Sequence, residues 1–125
     1  MTRRDDPLLR DVIAAANHIA AYLDGQTKQT FVDDSMRRDA VLMRRLVIGE
    51  VAARIPQPLR DRHPHVEWGA IVGFRIRAIH AYRSVDWDIV WNAATVNVPI
   101  LVSQIASILV ADFPAAEQRQ RELPE

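Results

Sequence analysis

The stretch between Asp88 and Asp112 contains no charged residue, and it restricts the fold more than any other feature of the chain. It is long enough to cross a bilayer as a helix. However, polar residues such as Asn92 and Ser107 interrupt it, and acidic residues flank it instead of the basic residues typical of a membrane anchor. A helix of this kind is typical of the centre of a helical bundle or of a dimer interface. We therefore predict a buried helix and no membrane association.

The remaining segments also show helical spacing of apolar residues, with caps and prolines at their ends. The predicted helices run from Pro7 to Gly25, from Ser35 (with Asp34 or Ser35 as its cap) to Pro56, from Glu67 to about Arg83, and from the cap Asp86 onward. A short helical turn is expected around Phe31, a loop over residues 56–66, and a kink at Pro99. Since no alternation typical of strands appears, the predicted fold is all-α, an up-and-down bundle of four main helices plus a short helix.

The composition limits the classes of function. At 125 residues the chain fits one domain, predicted over residues 1–115, with a flexible tail over 116–125. Sixteen basic residues balance sixteen acidic ones, so any site for a polyanion must be a local patch. There is no cysteine, which excludes disulfides, thiolate metal sites and thiol nucleophiles. The first residues lack an apolar signal core, and a cytoplasmic location is expected.

The stretch RIRAIHAY, from Arg75 to Tyr82, places several polar side chains on a helix that should otherwise pack. In a continuous helix Arg75 and Tyr82, seven residues apart, lie on nearly the same line, with His80 to one side. One interpretation is a solvated helix face. The other is a site in which a cation, an imidazole and a phenol surround one phosphate.

The surrounding sequence carries a resemblance to a known family. The segment HPHVEWGAIVGFRIRAIHAYRSVDWDIVWNAATVNVPIL is similar to the signature half of the HepT-like toxins of the HEPN superfamily, small helical ribonucleases with an R-x4-H-x-Y motif. Arg75, His80 and Tyr82 match that motif. Upstream, residues 48–51 resemble the family's IGEA core, and the resemblance covers most of residues 8–110.

This resemblance implies a homodimeric, metal-independent endoribonuclease that acts at the cleft between two protomers and needs no cofactor. Its substrate would be an RNA such as tRNA or mRNA, cut to leave 2′,3′-cyclic phosphate ends. The implied roles are general acid and base for His80 and phosphate clamp for Arg75, and imidazole and guanidinium suit those roles chemically. The arginines expected to bind RNA are Arg44, Arg45, Arg77 and Arg83.

The family's usual partner is a minimal nucleotidyltransferase, an antitoxin that uses ATP to adenylylate the motif tyrosine. The resemblance therefore implies that the protein is the toxin of a type II toxin–antitoxin system and that modification of Tyr82 silences it. The added AMP places an anion in the cleft, where it repels RNA.

The chain also departs from the family's pattern. Ile76 follows Arg75 where the family usually has a polar residue, and in the predicted helix it lies one turn before His80, which it cannot hydrogen-bond. This departure keeps a second hypothesis open, a non-catalytic HEPN-like helical dimerisation or adaptor protein.

Two further sets of polar residues have alternative interpretations. For Arg45 the alternative to RNA binding is a packed stem with a solvent-exposed head. His63 and His65 could ligate a metal, but no third ligand supports them, and we predict no metal site.

Overall fold

The computed structural model describes residues 5–80 and 84–114. Its helices are α1 (Asp6–Leu23), α2 (Lys28–Asp33), α3 (Ser35–Arg54), α4 (Gln57–Arg62), α5 (Trp68–Val72), α6 (Phe74–Ala78), α7 (Trp87–Asn92) and α8 (Val98–Asp112). Two short strands, β1 (Ile79–His80) and β2 (Ser84–Val85), follow α6, and a π-helical turn (Ala93–Asn97) joins α7 to α8. The all-α class is confirmed, with a small two-stranded addition. The predicted tail, residues 116–125, lies outside the described residues.

The ends of the long helices follow local signals in the sequence. Pro7 lies in the first turn of α1, where its missing N–H costs nothing, and Gly25 after the helix has a positive φ of 73°. The carboxylate of Asp34 accepts a hydrogen bond from the backbone N–H of Arg37 at 3.0 Å and caps α3. Asp86 caps α7 in the same way. These predicted boundaries are confirmed.

The core forms around α1, which packs most extensively against α3 and also against α8. Each helix turns an apolar stripe inward, as the spacing predicts. The fully buried large side chains on these stripes include Leu9, Val12, Ile19, Val41, Ile48, Ile105 and Ile108.

The helix from Trp87 to Asp112 is long and apolar enough to cross a membrane, by length and composition only. In the fold, Leu101, Ile105 and Ile108 of this helix are buried in the bundle core, whereas Ile100 and Val110 are exposed. The predicted burial therefore holds for one face of the helix. The irregularity expected at Pro99 takes the form of the π-helical turn, which ends two residues before that proline. A proline and a π turn both interrupt the regular backbone bonding of an α-helix.

Two of the predicted boundaries are wrong. Residues 56–66 are not simply a loop, because they contain α4. The helix predicted from Glu67 to Arg83 is broken near Gly73 and ends at Ala78. Tyr82 and Arg83, at its predicted end, lie outside the described residues.

The helix ends at Ala78 because the next residues pair as strands. Ile79 pairs with Val85 and His80 with Ser84 in an antiparallel ladder, and β-branched side chains favour this conformation. The carbonyl of Ala78 accepts a hydrogen bond from the backbone N–H of Asp86 at 2.8 Å. A continuing helix would instead pair that carbonyl with the N–H four residues further on.

Candidate functional site

Arg75 lies on α6, and the packing of α6 turns it outward. Phe74 and Ala78 of this helix are 1% and 0% exposed and hold it against the core. Arg75, Ile76 and Arg77 between them are all exposed, and Ile76 is 83% exposed. The motif arginine is therefore presented to solvent by a helix anchored on its other side.

His80 lies on β1, beyond the end of α6, and is exposed. The predicted helical relation, with Ile76 and Arg77 one turn before His80, is therefore wrong. Among residues 5–80 and 84–114, no hydrogen bond joins the side chain of His80 to Arg75, and the main cavities that Arg75 lines do not include His80. One chain thus presents both motif side chains to solvent, with no hydrogen bond between them in the part of the chain that the structure describes.

Arg45 is buried, with 4% of its surface exposed, so its head does not reach solvent as the alternative interpretation supposed. Both terminal nitrogens of its guanidinium donate to the carbonyl oxygen of Ile71, at 3.3 Å each, and its Cζ lies 4.2 Å from the ring centroid of Phe74. A Cβ at Gly49 would come within 3.1 Å of the same carbonyl oxygen. Glycine at this position lets α3 approach α5 closely enough to hold the guanidinium there.

Burial affects the ionisation of Arg45. Desolvation, followed by repulsion from Arg77, lowers the pKa of Arg45 to about 10, so the side chain remains a cation at neutral pH. Within the part of the chain that the structure describes, no carboxylate forms an ion pair with it. A buried cation without an anion is unfavourable.

Arg45 lines two cavities, one on each side of α6. The smaller, about 110 Å³, is also lined by Arg75 and by Glu50 of α3. The larger, about 250 Å³, is lined by Arg77 and by residues of the π-helical turn and α8. Arg75 and Arg77 face different cavities because residues two apart on a helix point about 200° apart.

Several polar residues beside these arginines were not predicted. Glu50 lies in the cavity with Arg75, and Asn97, Gln104 and His65 line the cavity with Arg77. Glu50 belongs to the segment that resembles the IGEA core, which is a sequence signal for it. No local signal marks Asn97 or Gln104, because tertiary packing brings them to the cavity. Arg44, also predicted to bind RNA, is half-buried on α3 and lines neither cavity.

His63 joins the end of α4 to the end of α8. Its Nε2 lies 2.9 Å from Oδ2 of Asp112, and a terminal nitrogen of Arg62 donates to the same oxygen at 3.1 Å. Burial would raise the pKa of Asp112, but the hydrogen bonds from His63 and Arg62 outweigh it, and the pKa is lowered from 3.8. In the described ranges, no three histidine or acidic side chains cluster as a metal site would require.

Comparison with known proteins identifies the family of the chain. The model of the family described as "Ribonuclease HepT-like" matches residues 12–108. A protein of Methanocaldococcus jannaschii named "Putative RNase MJ0125" is 27% identical over 87% of this chain and 95% of its own length. The "Probable ribonuclease HepT" of Thermococcus cleftensis is 28% identical over 81% of this chain and 92% of its own. No solved structure matches the chain. Since the family model spans most of the chain, including Arg75, His80 and Tyr82, the protein belongs to the HepT-like ribonuclease family.

Proposed function

We propose that the protein is a homodimeric, metal-independent endoribonuclease, the toxin of a type II toxin–antitoxin system. The observation that carries this proposal is the family match over residues 12–108, which includes Arg75 and His80 at the spacing of the motif. The exposure of both side chains supports it, because both must reach an RNA phosphate.

The chemistry requires only groups that the protein and RNA supply. The 2′-hydroxyl of RNA attacks the adjacent phosphorus, and the bond to the 5′-oxygen breaks, which leaves a 2′,3′-cyclic phosphate and a 5′-hydroxyl. His80 takes the proton from the nucleophile, or its protonated form gives one to the leaving oxygen. The guanidinium of Arg75 holds the phosphate and stabilises the charge that develops on its oxygens.

A dimer explains how the two motif side chains act together. Val72 and Ile76, on the same segment as Arg75, are 38% and 83% exposed, and a symmetric dimer that covers them would gain the free energy of apolar burial. Such a dimer would place two copies of Arg75 and His80 around one cleft. Light scattering at micromolar concentration tests this, and a monomer would exclude a site shared between protomers.

The proposed regulation concerns Tyr82, the last residue of the motif. We infer that a minimal nucleotidyltransferase antitoxin uses ATP to adenylylate this tyrosine in the cytoplasm. The AMP group would occupy the arginines and repel the tRNA or mRNA substrate. Mass spectrometry of the protein co-expressed with its partner would detect the added AMP on the peptide that contains Tyr82, and its absence would remove this part of the proposal.

One observation favours a second candidate, a non-catalytic dimerisation or adaptor protein. The side chain beside Arg75 is the apolar and exposed Ile76, and no described side chain orients His80 by a hydrogen bond.

Inducible expression in bacteria separates the two candidates. The nuclease predicts growth arrest by the wild type and normal growth with His80→Ala. Purified wild type should also cut RNA in EDTA. Normal growth in both cultures, with intact RNA, would favour the adaptor, and loss of cleavage in EDTA with rescue by a divalent ion would show that the metal-independent mechanism is wrong.

A further inference from the structure

We propose that the larger cavity, between α5, α6 and α8, binds one phosphate group of a nucleotide or of a nucleic-acid chain through Arg45 and Arg77. Neither Arg75 nor His80 lines this cavity, so the proposal does not depend on RNA cleavage at those residues.

Two guanidinium groups converge on the cavity. Arg45 is 4% exposed at its wall, and the exposed Arg77 donates to the carbonyl oxygen of Ala70 at 3.4 Å. The positive charge of Arg77 contributes to the lowered pKa of Arg45, because two neighbouring cations repel each other. An anion bound between them would relieve this repulsion and compensate the buried charge.

The other polar groups of the cavity leave its charge positive. Glu67 is the acid among the lining residues, it is exposed, and it forms no ion pair with either arginine in the described structure. Asn97 and Gln104 add amide groups, and Gln104 Nε2 donates to the carbonyl oxygen of His65 at 3.4 Å. Guanidinium forks with neighbouring amides match the several acceptor oxygens of a phosphate better than a metal cation or a neutral ligand.

The size and the apolar wall of the cavity point to a phosphate that carries an organic group. At about 250 Å³ the cavity has apolar side chains such as Ile71, Ile100 and Leu101 on its wall. These surfaces would contact the sugar or base attached to the phosphate.

The position of the buried guanidinium is fixed before any ligand binds. The carbonyl oxygen of Ile71 accepts from both of its terminal nitrogens, the ring of Phe74 lies against it, and Gly49 allows the close approach of α3. A side chain already held in place loses little conformational entropy on binding, so this arrangement favours affinity.

Calorimetric titration of the full chain at constant ionic strength tests the proposal. The probes are inorganic phosphate, AMP and a 2′-O-methyl RNA oligonucleotide, which cannot be cleaved, with adenosine and acetate as controls. Binding of AMP would identify a free nucleotide as the source of the phosphate, and binding of the oligonucleotide alone would identify a nucleic-acid chain. Either result supports the proposed site if replacement of Arg45 or Arg77 weakens the binding.

Arg77→Ala and Arg45→Met should each weaken binding at least tenfold, whereas Arg54→Ala, which removes the same charge from an exposed position of α3 outside the cavity, should change it less than twofold. Because Arg77 is exposed, Arg77→Ala should fold normally, and it tests the proposal even if Arg45→Met fails to fold. His80→Ala should bind phosphate as the wild type does, which separates this site from the proposed nuclease. Binding that survives Arg77→Ala, an equal loss in Arg54→Ala, or equal binding of adenosine or acetate would overturn the proposal.

Discussion

The framework helices, α1, α3 and α8, differ from the motif segment, residues 68–86, in how they are built. The framework helices are long, and their buried faces carry large aliphatic side chains. The described residues of the motif segment form two five-residue helices and two paired strands of two residues each. It buries Trp68, Ile71, Phe74 and Ala78, and it exposes Arg75, Arg77 and His80. Large buried side chains are therefore concentrated in the framework helices, and Arg75 and His80, the side chains proposed to act on RNA, lie on the exposed side of the motif segment.

The short pieces of the motif segment depend on the framework helices for their shape. Helices of five residues are not stable in isolation, because nucleation is unfavourable and their few backbone hydrogen bonds do not offset it. The contact of Arg45 and Gly49 on α3 with the backbone of Ile71 on α5 supplies part of the missing stability. This arrangement leaves the exposed side chains free to vary without a large change in folding.

The largest effect on stability should come from the framework helices. Ile105 is fully buried, at 0% exposed, and Ile105→Ala should lower the free energy of unfolding by about 2–5 kcal/mol, because it removes apolar contacts and leaves a cavity. Urea denaturation followed by circular dichroism measures this. Val110→Ala, at a position 56% exposed on the same helix, is the matched control and should change stability by less than about 0.5 kcal/mol. Equal effects of the two substitutions would contradict the claim that the buried faces of the framework helices supply most of the stability.

In the motif segment, Arg75→Lys should reduce RNA cleavage by about tenfold, since an ammonium group replaces a bidentate fork. The free energy of unfolding should stay within about 0.5 kcal/mol of the wild type, because the side chain is exposed. Arg54→Lys, an exposed position at the end of α3, controls for general effects of the exchange. A lysine variant that cleaves at the wild-type rate would mean that Arg75 is not a phosphate clamp.

The contact between α4 and α8 should show a pH-dependent contribution to stability. Asp112→Asn should cost about 1 kcal/mol at pH 7, because it removes the carboxylate from His63 and Arg62. The pKa of Asp112 is lowered from 3.8 in the folded chain, so its contribution is present above pH 3.8 and is lost as the pH falls through the lower folded value. The difference between the urea midpoints of wild type and variant should be smaller at pH 3 than at pH 7. A constant difference would exclude this ionic contribution.

The smallest effect is expected at Ile76. A helix continuing to His80 would let an asparagine here hydrogen-bond the imidazole, worth about 1 kcal/mol or fivefold in rate. Because the helix ends at Ala78, Ile76→Asn should change cleavage per dimer less than about twofold and monomer stability less than about 0.5 kcal/mol. It should instead promote dimer dissociation, measured by sedimentation. A fivefold gain in rate would indicate that the helix continues to His80 in the active protein.

The sequence predicts the framework helices well because their signals are local. The caps at Asp34 and Asp86, Pro7 in a first turn and the stripes ending in Ile105 and Ile108 depend on residues within a few positions of each other. The strand pair was not predicted because it depends on the pairing of Ile79 with Val85 and on the hydrogen bond from the N–H of Asp86 to the carbonyl oxygen of Ala78. Helical spacing continues through this segment in the sequence, and tertiary pairing overrides it.

The candidate site was predicted only in part for a related reason. The motif residues Arg75 and His80 were predicted from their spacing and the family resemblance, and their roles stay predictions. The buried position of Arg45, and the amide groups of Asn97 and Gln104 near it, follow from the packing of α3, α5 and α8. The spacing of residues within a single helix does not predict that packing.

The cleavage of a labelled single-stranded RNA by purified wild type and His80→Ala, in EDTA, tests the central claim most directly. His80 is exposed and outside the core, so the variant should fold normally, with an unchanged urea midpoint, while the cleavage rate falls on the order of 10²-fold or more. Wild-type products should end in 2′,3′-cyclic phosphates. A folded His80→Ala variant that cleaves as fast as the wild type would contradict the assignment of the chemistry to the motif segment.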